Sequence, residues 1–448
     1  MKTLRNAVIA IFAGLILMIS CKKSDIALPK SEANIDSIAS KYYEGYLKMY
    51  PLEATMQGDS RYNDLLSNNI SSEFISKEIE FYTETQKKLK SIEYDDLSDE
   101  QKTVYDVLDY TLKDKIERYA YHPELLPFSQ FEGLPLDFPL LGSAEGNQPF
   151  KTTKDYDNWL KRIDAFVIWM NTAEKNFREG MKQNVVLPKK LVVKMIPQMH
   201  SEEIITEDFD KNIFYGPIKK MPKNFSAKDK EKYKILYQEA ISSKIIPAYQ
   251  KMGDFLEKEY LPKARNTDGI NALPNGKNIY EYYAKSWTTT NKTPEEINKI
   301  GLQQVAMLRA EMEKVKTQLG FKGSLEEFLT SLKTDKKAMP YKTPEEVIAA
   351  FNGILKKIEP KLPSMFSKFP KTPFEIRRTE KFREASASAE YKQGTPDGKR
   401  PGIFYTPIPD ATKYNVTNGF ESLFLHEAIP GHHYQVSLQQ ENTEIPKF

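Results

Sequence analysis

Cysteine occurs once in this 448-residue chain, at position 21, and histidine only five times. A single thiol excludes a disulfide framework and any Cys-rich zinc module. An excess of one charge is also missing, since 65 Lys and Arg face 62 Asp and Glu, a formal balance of +3. That near-neutrality leaves no electrostatic footprint for nucleic acid, and no nucleic-acid partner is expected. The apolar run from Ala7 to Ile19 is 13 residues long. As a helix it spans about 20 Å, short of a hydrocarbon core of about 30 Å, so it does not read as a membrane span. No fixed repeat period is present, which argues against a solenoid. What remains is an ordinary globular composition, 28% charged and 40% apolar. A chain of this length can bury a large core.

The amino terminus carries an address. Lys2 and Arg5 precede the apolar run, and Ser20 then Cys21 follow it. A basic start, a short apolar stretch and a small residue before the cut make a secretory signal. The box Met18-Ile19-Ser20-Cys21 resembles a bacterial lipoprotein signal, in which the Cys becomes the lipid-modified amino terminus. Met18 departs from that pattern, because Leu is commoner there; an ordinary signal with an incidental Cys is the alternative. Residues 1–20 thus read as signal peptide, 21–31 as tether and 32–448 as one folded domain. Cys21 is the expected lipidation site. The expected location is the bacterial cell envelope, anchored to a membrane and facing the periplasm or the exterior.

The body reads as mainly α. Thr293-Pro294-Glu295-Glu296 sets a Thr cap, a Pro at the first helical position and a Glu to close a capping box. Ile297, Ile300, Val305, Leu308, Met312, Val315 and Leu319 follow at helical spacing, which predicts a buried face, with Gly320 as stop. Thr343-Pro344-Glu345-Glu346 repeats the start, ahead of Val347, Phe351, Ile354 and Ile358. Ser98 with Gln101 and Ser324 with Glu327 are further capping boxes. Pro123 to Pro149 reads as a long non-helical loop of the kind that carries function. The basic stretch Lys219 to Lys234 reads as a solvated helix face. Near the carboxy end, Asp397-Gly398 signals a hairpin and Ile403 to Thr406 a short strand.

Three of the five histidines fall between positions 426 and 433. Asn418, with Glu421 closing a capping box, predicts a helix that carries His426-Glu427 about two turns in. A zinc hydrolase needs neutral imidazoles, a further ligand, an open position for water and a carboxylate beside that water as base. The usual arrangement is H-E-x-x-H, with both His on one helix face. Here position 430 is Pro, and the next histidines are His432 and His433. On an unbroken helix six residues turn about 600° and rise about 9 Å, so His426 and His432 would diverge. Pro430-Gly431 offers a remedy, because Pro breaks the hydrogen-bond ladder and Gly permits unusual dihedrals. A kink there can return His432 to His426. Equally, Pro-Gly can end the helix and leave His432 and His433 as terminal imidazoles that suit its dipole. His122 and His200, isolated in sequence, read as structural.

The octapeptide His-Glu-Ala-Ile-Pro-Gly-His-His (426–433), followed by Tyr434-Gln435, resembles the signature of a bacterial family catalogued as domain of unknown function 885. Asn147-Gln148-Pro149-Phe150, the Tyr282 to Glu296 segment and Arg400-Pro401-Gly402-Ile403-Phe404-Tyr405 look like further family blocks, in the expected order. Members are often lipoproteins and look like zinc peptidases of the gluzincin type. The resemblance implies a large multi-helix domain with a small hairpin or edge strand beside the motif helix. It implies His426 and His432 as zinc ligands and Glu427 as general base, with His433 a further ligand or a support. The strand at Ile403 to Thr406 would be the edge offered to a peptide. Tyr405 on it would contact substrate or the oxyanion, or else simply pack on the helix. Relatives of this kind continue to a helix bearing Glu-Gly-Trp-Ala-Leu-Tyr, whose Glu would be the third ligand. The three Trp here, at 159, 169 and 287, all precede the motif, and the sequence runs only to Phe448. The expectation is therefore a form incomplete at its carboxy end, either a fragment of a longer protein or a truncated gene product, with zinc weakly held and activity reduced or lost. Glu421, Glu441 and Glu444 are candidate substitutes as ligand.

The expected function is zinc-dependent hydrolysis of peptide bonds in the cell envelope. The alternative is a non-catalytic envelope lipoprotein that binds peptides or glycans, which the 25 Tyr and 24 Phe would suit.

Overall fold

The computed structural model describes residues 34–448 except 380–383, 385, 386, 396, 397, 399 and 445. The signal peptide, the tether, Cys21 and Asp397 lie outside the described residues. Fourteen α-helices of eight residues or more appear among them. The first seven are α1 Ile35–Met49, α2 Ser72–Leu89, α3 Asp99–Arg118, α4 Leu134–Gly142, α5 Thr153–Lys182, α6 Lys189–Met199 and α7 Ala227–Ala240. The rest are α8 Ile246–Phe255, α9 Gly276–Thr288, α10 Pro294–Gln318, α11 Leu325–Thr334, α12 Pro344–Ile358, α13 Phe420–Glu427 and α14 Gly431–Glu441. Three short strands, β1 Phe374–Arg378, β2 Glu390–Lys392 and β3 Gly402–Thr406, complete a mainly α fold.

Helix starts follow the capping chemistry. Ser98, Thr293 and Ser324 each form a reciprocal capping box with the residue three positions on. Thr343 caps through its hydroxyl alone, since Glu346 turns its carboxylate to the Lys342 N–H instead.

The largest core gathers around α5. Its 30 residues bury Tyr156, Trp159, Ile163, Phe166, Trp169, Met170, Ala173 and Phe177 on one stripe. Phe138 stacks on Phe166 with ring centroids 4.0 Å apart. Phe138 belongs to α4, so the expected loop from Pro123 to Pro149 contains a nine-residue helix. Pro135 near its start suits the first turn, and the apolar residues Leu134, Leu136, Phe138 and Leu141 draw it onto the core. Arg162 is wholly buried within α5 and donates to Thr55 Oγ1 at 2.7 Å, to the Leu65 carbonyl at 2.9 Å and to Gln148. Those acceptors replace the hydration a buried guanidinium gives up, and they tie the Asn147–Phe150 block to the core. In the α1–α3 layer the buried Glu78 carboxylate likewise accepts from the hydroxyls of Tyr50, Tyr82 and Tyr119.

The expected buried face of α10 is not buried. No residue of this helix is buried, and Val305 (64%), Leu308 (52%), Met312 (46%), Val315 (48%) and Leu319 (67%) stand in solvent. The 3-4 spacing is right for a helix seam, but among the described residues nothing covers it. Gly320 does end this run, with φ +74.

The carboxy-terminal third builds a second core. Val347, Phe351 and Ile354 of α12 pack with Phe404 of β3 and Phe420 and Phe424 of α13. The sheet order is β1-β3-β2, with β1 parallel and β2 antiparallel to β3. The β2–β3 pair is the expected hairpin. The strand at Ile403 to Thr406, however, is central, so its backbone groups are used on both sides and it offers no edge to a peptide. The edges belong to β1 and β2.

Candidate metal centre

The motif helix breaks in two. α13 ends at Glu427, Ala428 leaves helical conformation (φ −107, ψ −110), Ile429-Pro430 is a cis peptide, and α14 begins at Gly431. Gly431 is needed for this turn. A Cβ there would lie 1.8 Å from the His426 carbonyl oxygen and 2.4 Å from that of Leu425, so any larger residue would push the helices apart. The His433 N–H donates to the Ala428 carbonyl at 3.1 Å and closes the corner. The start of α13 differs from expectation: Gly419, with φ +74, is the cap residue, and no side chain caps the helix. Asn418 instead joins a turn through its N–H to the Asn415 carbonyl, and Glu421 faces Lys357 at 4.0 Å.

The break returns His432 to His426. Their ring centroids are 4.7 Å apart, with planes at 76°. Glu427 sits between them: Oε1 lies 4.0 Å from Nε2 of His426 and Oε2 lies 3.9 Å from Nε2 of His432. One ligand atom from each of the three lies within 4.8 Å of the others. Glu427 is recessed at 16% side-chain exposure, while His426 (68%) and His432 (38%) are open to solvent. His432 Nδ1 pairs with Gln435 Oε1 at 3.1 Å. As an acceptor that oxygen holds the proton on Nδ1 and leaves the Nε2 lone pair free, the usual support of a ligating imidazole. Two such nitrogens beside one carboxylate can hold a divalent ion or pass a proton.

The other expected site residues are not in this group. His433 is 3% exposed and turned into the sheet, with Nδ1 3.0 Å from the Tyr391 hydroxyl and 3.4 Å from Ser437 Oγ. Burial pulls its pKa down to about 4, so it sits there neutral. Tyr405 leaves β3 on the face opposite Phe404, which packs on α13; residues alternate along a strand, and its register partner is Arg377. Arg377 also hydrogen-bonds the Tyr405 side chain. Glu441 accepts from the Lys371 and Thr372 N–H groups at 2.8–2.9 Å and is committed to the start of the sheet. Glu421 and Glu444 also stand outside the cluster, which has no fourth member among the described residues.

Two contributors were not read from sequence. Gln435 could have been found, because it lies three residues after His432 on one helix face. Tyr391 could not, because it lies 42 positions before His433. In a second cluster, His200, Asp254 and Glu257, one ligand atom from each likewise lies within 4.8 Å of the others.

Fold and site define a mainly helical protein with paired imidazoles and a carboxylate at a broken helix. Residues 51–448 match the family described as "Bacterial protein of unknown function (DUF885)", and the chain belongs to it. Among solved structures it resembles a candidate lipoprotein from Colwellia psychrerythraea, at 20% identity and a TM-score of 0.79. It also resembles a candidate lipoprotein of unknown function from Shewanella oneidensis, at 15% identity and a TM-score of 0.65. Each likeness covers 92% of this chain and 73% of the other. Among curated proteins none matches.

Proposed function

We propose that this protein is a zinc-dependent peptide-bond hydrolase of the bacterial cell envelope. The observation that carries the reading is the convergence of His426 Nε2 and His432 Nε2 on the Glu427 carboxylate. The donor set suits zinc, which favours imidazole nitrogen with a carboxylate nearby. His426 and His432 would hold the ion. When bound, it supplies Lewis acidity for a carbonyl oxygen and a water of lowered pKa. Glu427, recessed between the two rings, takes the proton from the attacking water as the oxygen bonds to the peptide carbonyl carbon. It then delivers that proton to the departing amine nitrogen as the C–N bond breaks. The Gln435 contact keeps His432 in the tautomer that presents Nε2.

Among the described residues the cluster offers two imidazoles, one short of the three protein ligands usual at catalytic zinc. Weak zinc retention and low turnover are expected of a site held by these two imidazoles alone. The box Met18–Cys21 supports anchoring through a lipidated Cys21, and the description of both structural relatives as candidate lipoproteins agrees with it. Among the described residues no helix is long and apolar enough to cross a membrane.

The test is peptide turnover with added zinc, followed by mass spectrometry of a mixed peptide pool. Cleavage that falls by about 100-fold or more in Glu427→Gln supports the reading. Equal cleavage by the variant, or a protein that takes up no zinc, would overturn it.

A further inference from the structure

His432 and His433 are neighbours with opposite fates, and the second explains how the first is aimed. Successive residues on a helix are about 100° apart, so the rotation of α14 decides where His432 points. α14 carries polar residues at 433, 437 and 441, spaced by four, which form one stripe along its sheet-facing side. His433 meets Tyr391 of β2 at 3.0 Å and has a backbone hydrogen bond with Thr372. Ser437, fully buried, lies 3.4 Å from His433 Nδ1 and 3.5 Å from the Tyr391 hydroxyl. Glu441 takes hydrogen bonds from the Lys371 and Thr372 N–H groups and from Thr372 Oγ1 at 2.7 Å.

The sheet is shaped to receive this stripe. At Gly402 of β3 a Cβ would fall 2.2 Å from the Tyr391 hydroxyl and 2.7 Å from His433 Nδ1. The Phe374 ring of β1 lies 5.0 Å from the imidazole. Neither Gly402 nor Tyr391 belongs to the open group at His426, Glu427 and His432. Both contact α14 through His433.

We infer that the stripe His433–Ser437–Glu441, seated on Tyr391, Gly402 and Thr372, is a positioning device that fixes the rotation of α14 and so the spacing of the His426–His432 pair. His433 acts through His432 and is a positioning residue, not a ligand. The inference rests on the proposed zinc reading. It adds that the affinity of the pair is set from the sheet side.

The experiment is zinc titration by calorimetry of the metal-free protein, His433→Gln, Tyr391→Phe and Glu441→Gln, with the unfolding midpoint of each metal-free protein measured alongside. Tyr391→Phe removes one hydroxyl and keeps the ring, so it guards against a His433 variant that fails to fold. Outer supports of metal sites typically contribute 10–100-fold in affinity. The expected result is a loss of about that size in His433→Gln and a smaller loss in Tyr391→Phe. The cobalt(II) absorption band should shift in both, a change of ligand geometry that a general loss of stability would not cause. Unchanged zinc affinity and an unchanged cobalt band in folded variants, with zinc bound by the wild type, would overturn the positioning role alone. A wild type that takes no zinc would overturn the site and the positioning role together.

Discussion

Among the described residues, two groups of histidine and carboxylate bring their ligand atoms within 4.8 Å of one another, and they are built in different ways. At His200, Asp254 and Glu257, the histidine closes the end of α6, Asp254 lies in the last turn of α8, and Glu257 lies in the π-helical turn Leu256–Tyr260 that continues it. His200 Nε2 lies 3.8 Å from Asp254, but Asp254 also pairs with Lys258 at 2.9 Å, and that lysine lowers its pKa. His200 also packs on Gly253, where a Cβ would lie 2.4 Å from its Nε2, so a close-fitting glycine occurs here too, but no break in the chain separates the two acids. At His426, Glu427 and His432, the rings meet across an interrupted helix, with Gly431 against the His426 carbonyl at the turn and the neighbouring His433 buried against the sheet. Glu427 has imidazoles, not lysine, as its ion-pair partners among the described residues. Proximity of ligand atoms is common on protein surfaces. Backbone and packing committed to creating that proximity are the stronger mark of a site.

The largest expected contrast is in chemistry. Glu427→Gln should lower zinc-dependent peptide cleavage by about 100-fold or more, while His200→Ala should leave it unchanged, as peptide mass spectrometry would show. Next is zinc uptake. His426→Ala and His432→Ala should each abolish calorimetric zinc binding, and His200→Ala should keep the wild-type stoichiometry. The backbone contrast is smaller. Gly431→Ala should destabilise the metal-free protein by on the order of 2–4 kcal/mol in urea, since a methyl there meets the His426 carbonyl oxygen. Gly301→Ala, on the exposed helix α10 with open space at the same position, should stabilise it by about 0.5–1 kcal/mol. Smallest is Asp254→Asn, which removes only solvated ion pairs with Lys258 and His200 and should change neither zinc stoichiometry nor the unfolding midpoint measurably.

The local physics of these elements was readable in sequence. Capping boxes at Ser98, Thr293 and Ser324 form because their hydrogen bonds lie within four residues. The same locality made Pro430-Gly431 legible as a break between His426 and His432. Partnership between distant elements was not readable. The stripe on α10 has the spacing of a buried face and no cover among the described residues, because periodicity specifies a face and not what meets it. Ile403 to Thr406 reads as a strand, but its central place depends on Phe374–Arg378, some 30 positions earlier. That pairing also sends Tyr405 away from the motif helix. His433 was ambiguous for the same reason: only Tyr391 and Gly402, brought in by the sheet, show that it faces inward.

A crystal of the protein soaked in zinc and measured at the zinc absorption edge would decide between the two clusters directly. The expected anomalous peak lies within bonding distance of Nε2 of both His426 and His432, beside the Glu427 carboxylate. A peak at His200, Asp254 and Glu257 alone, or no peak at either cluster, would contradict the assignment of the broken helix as the metal centre.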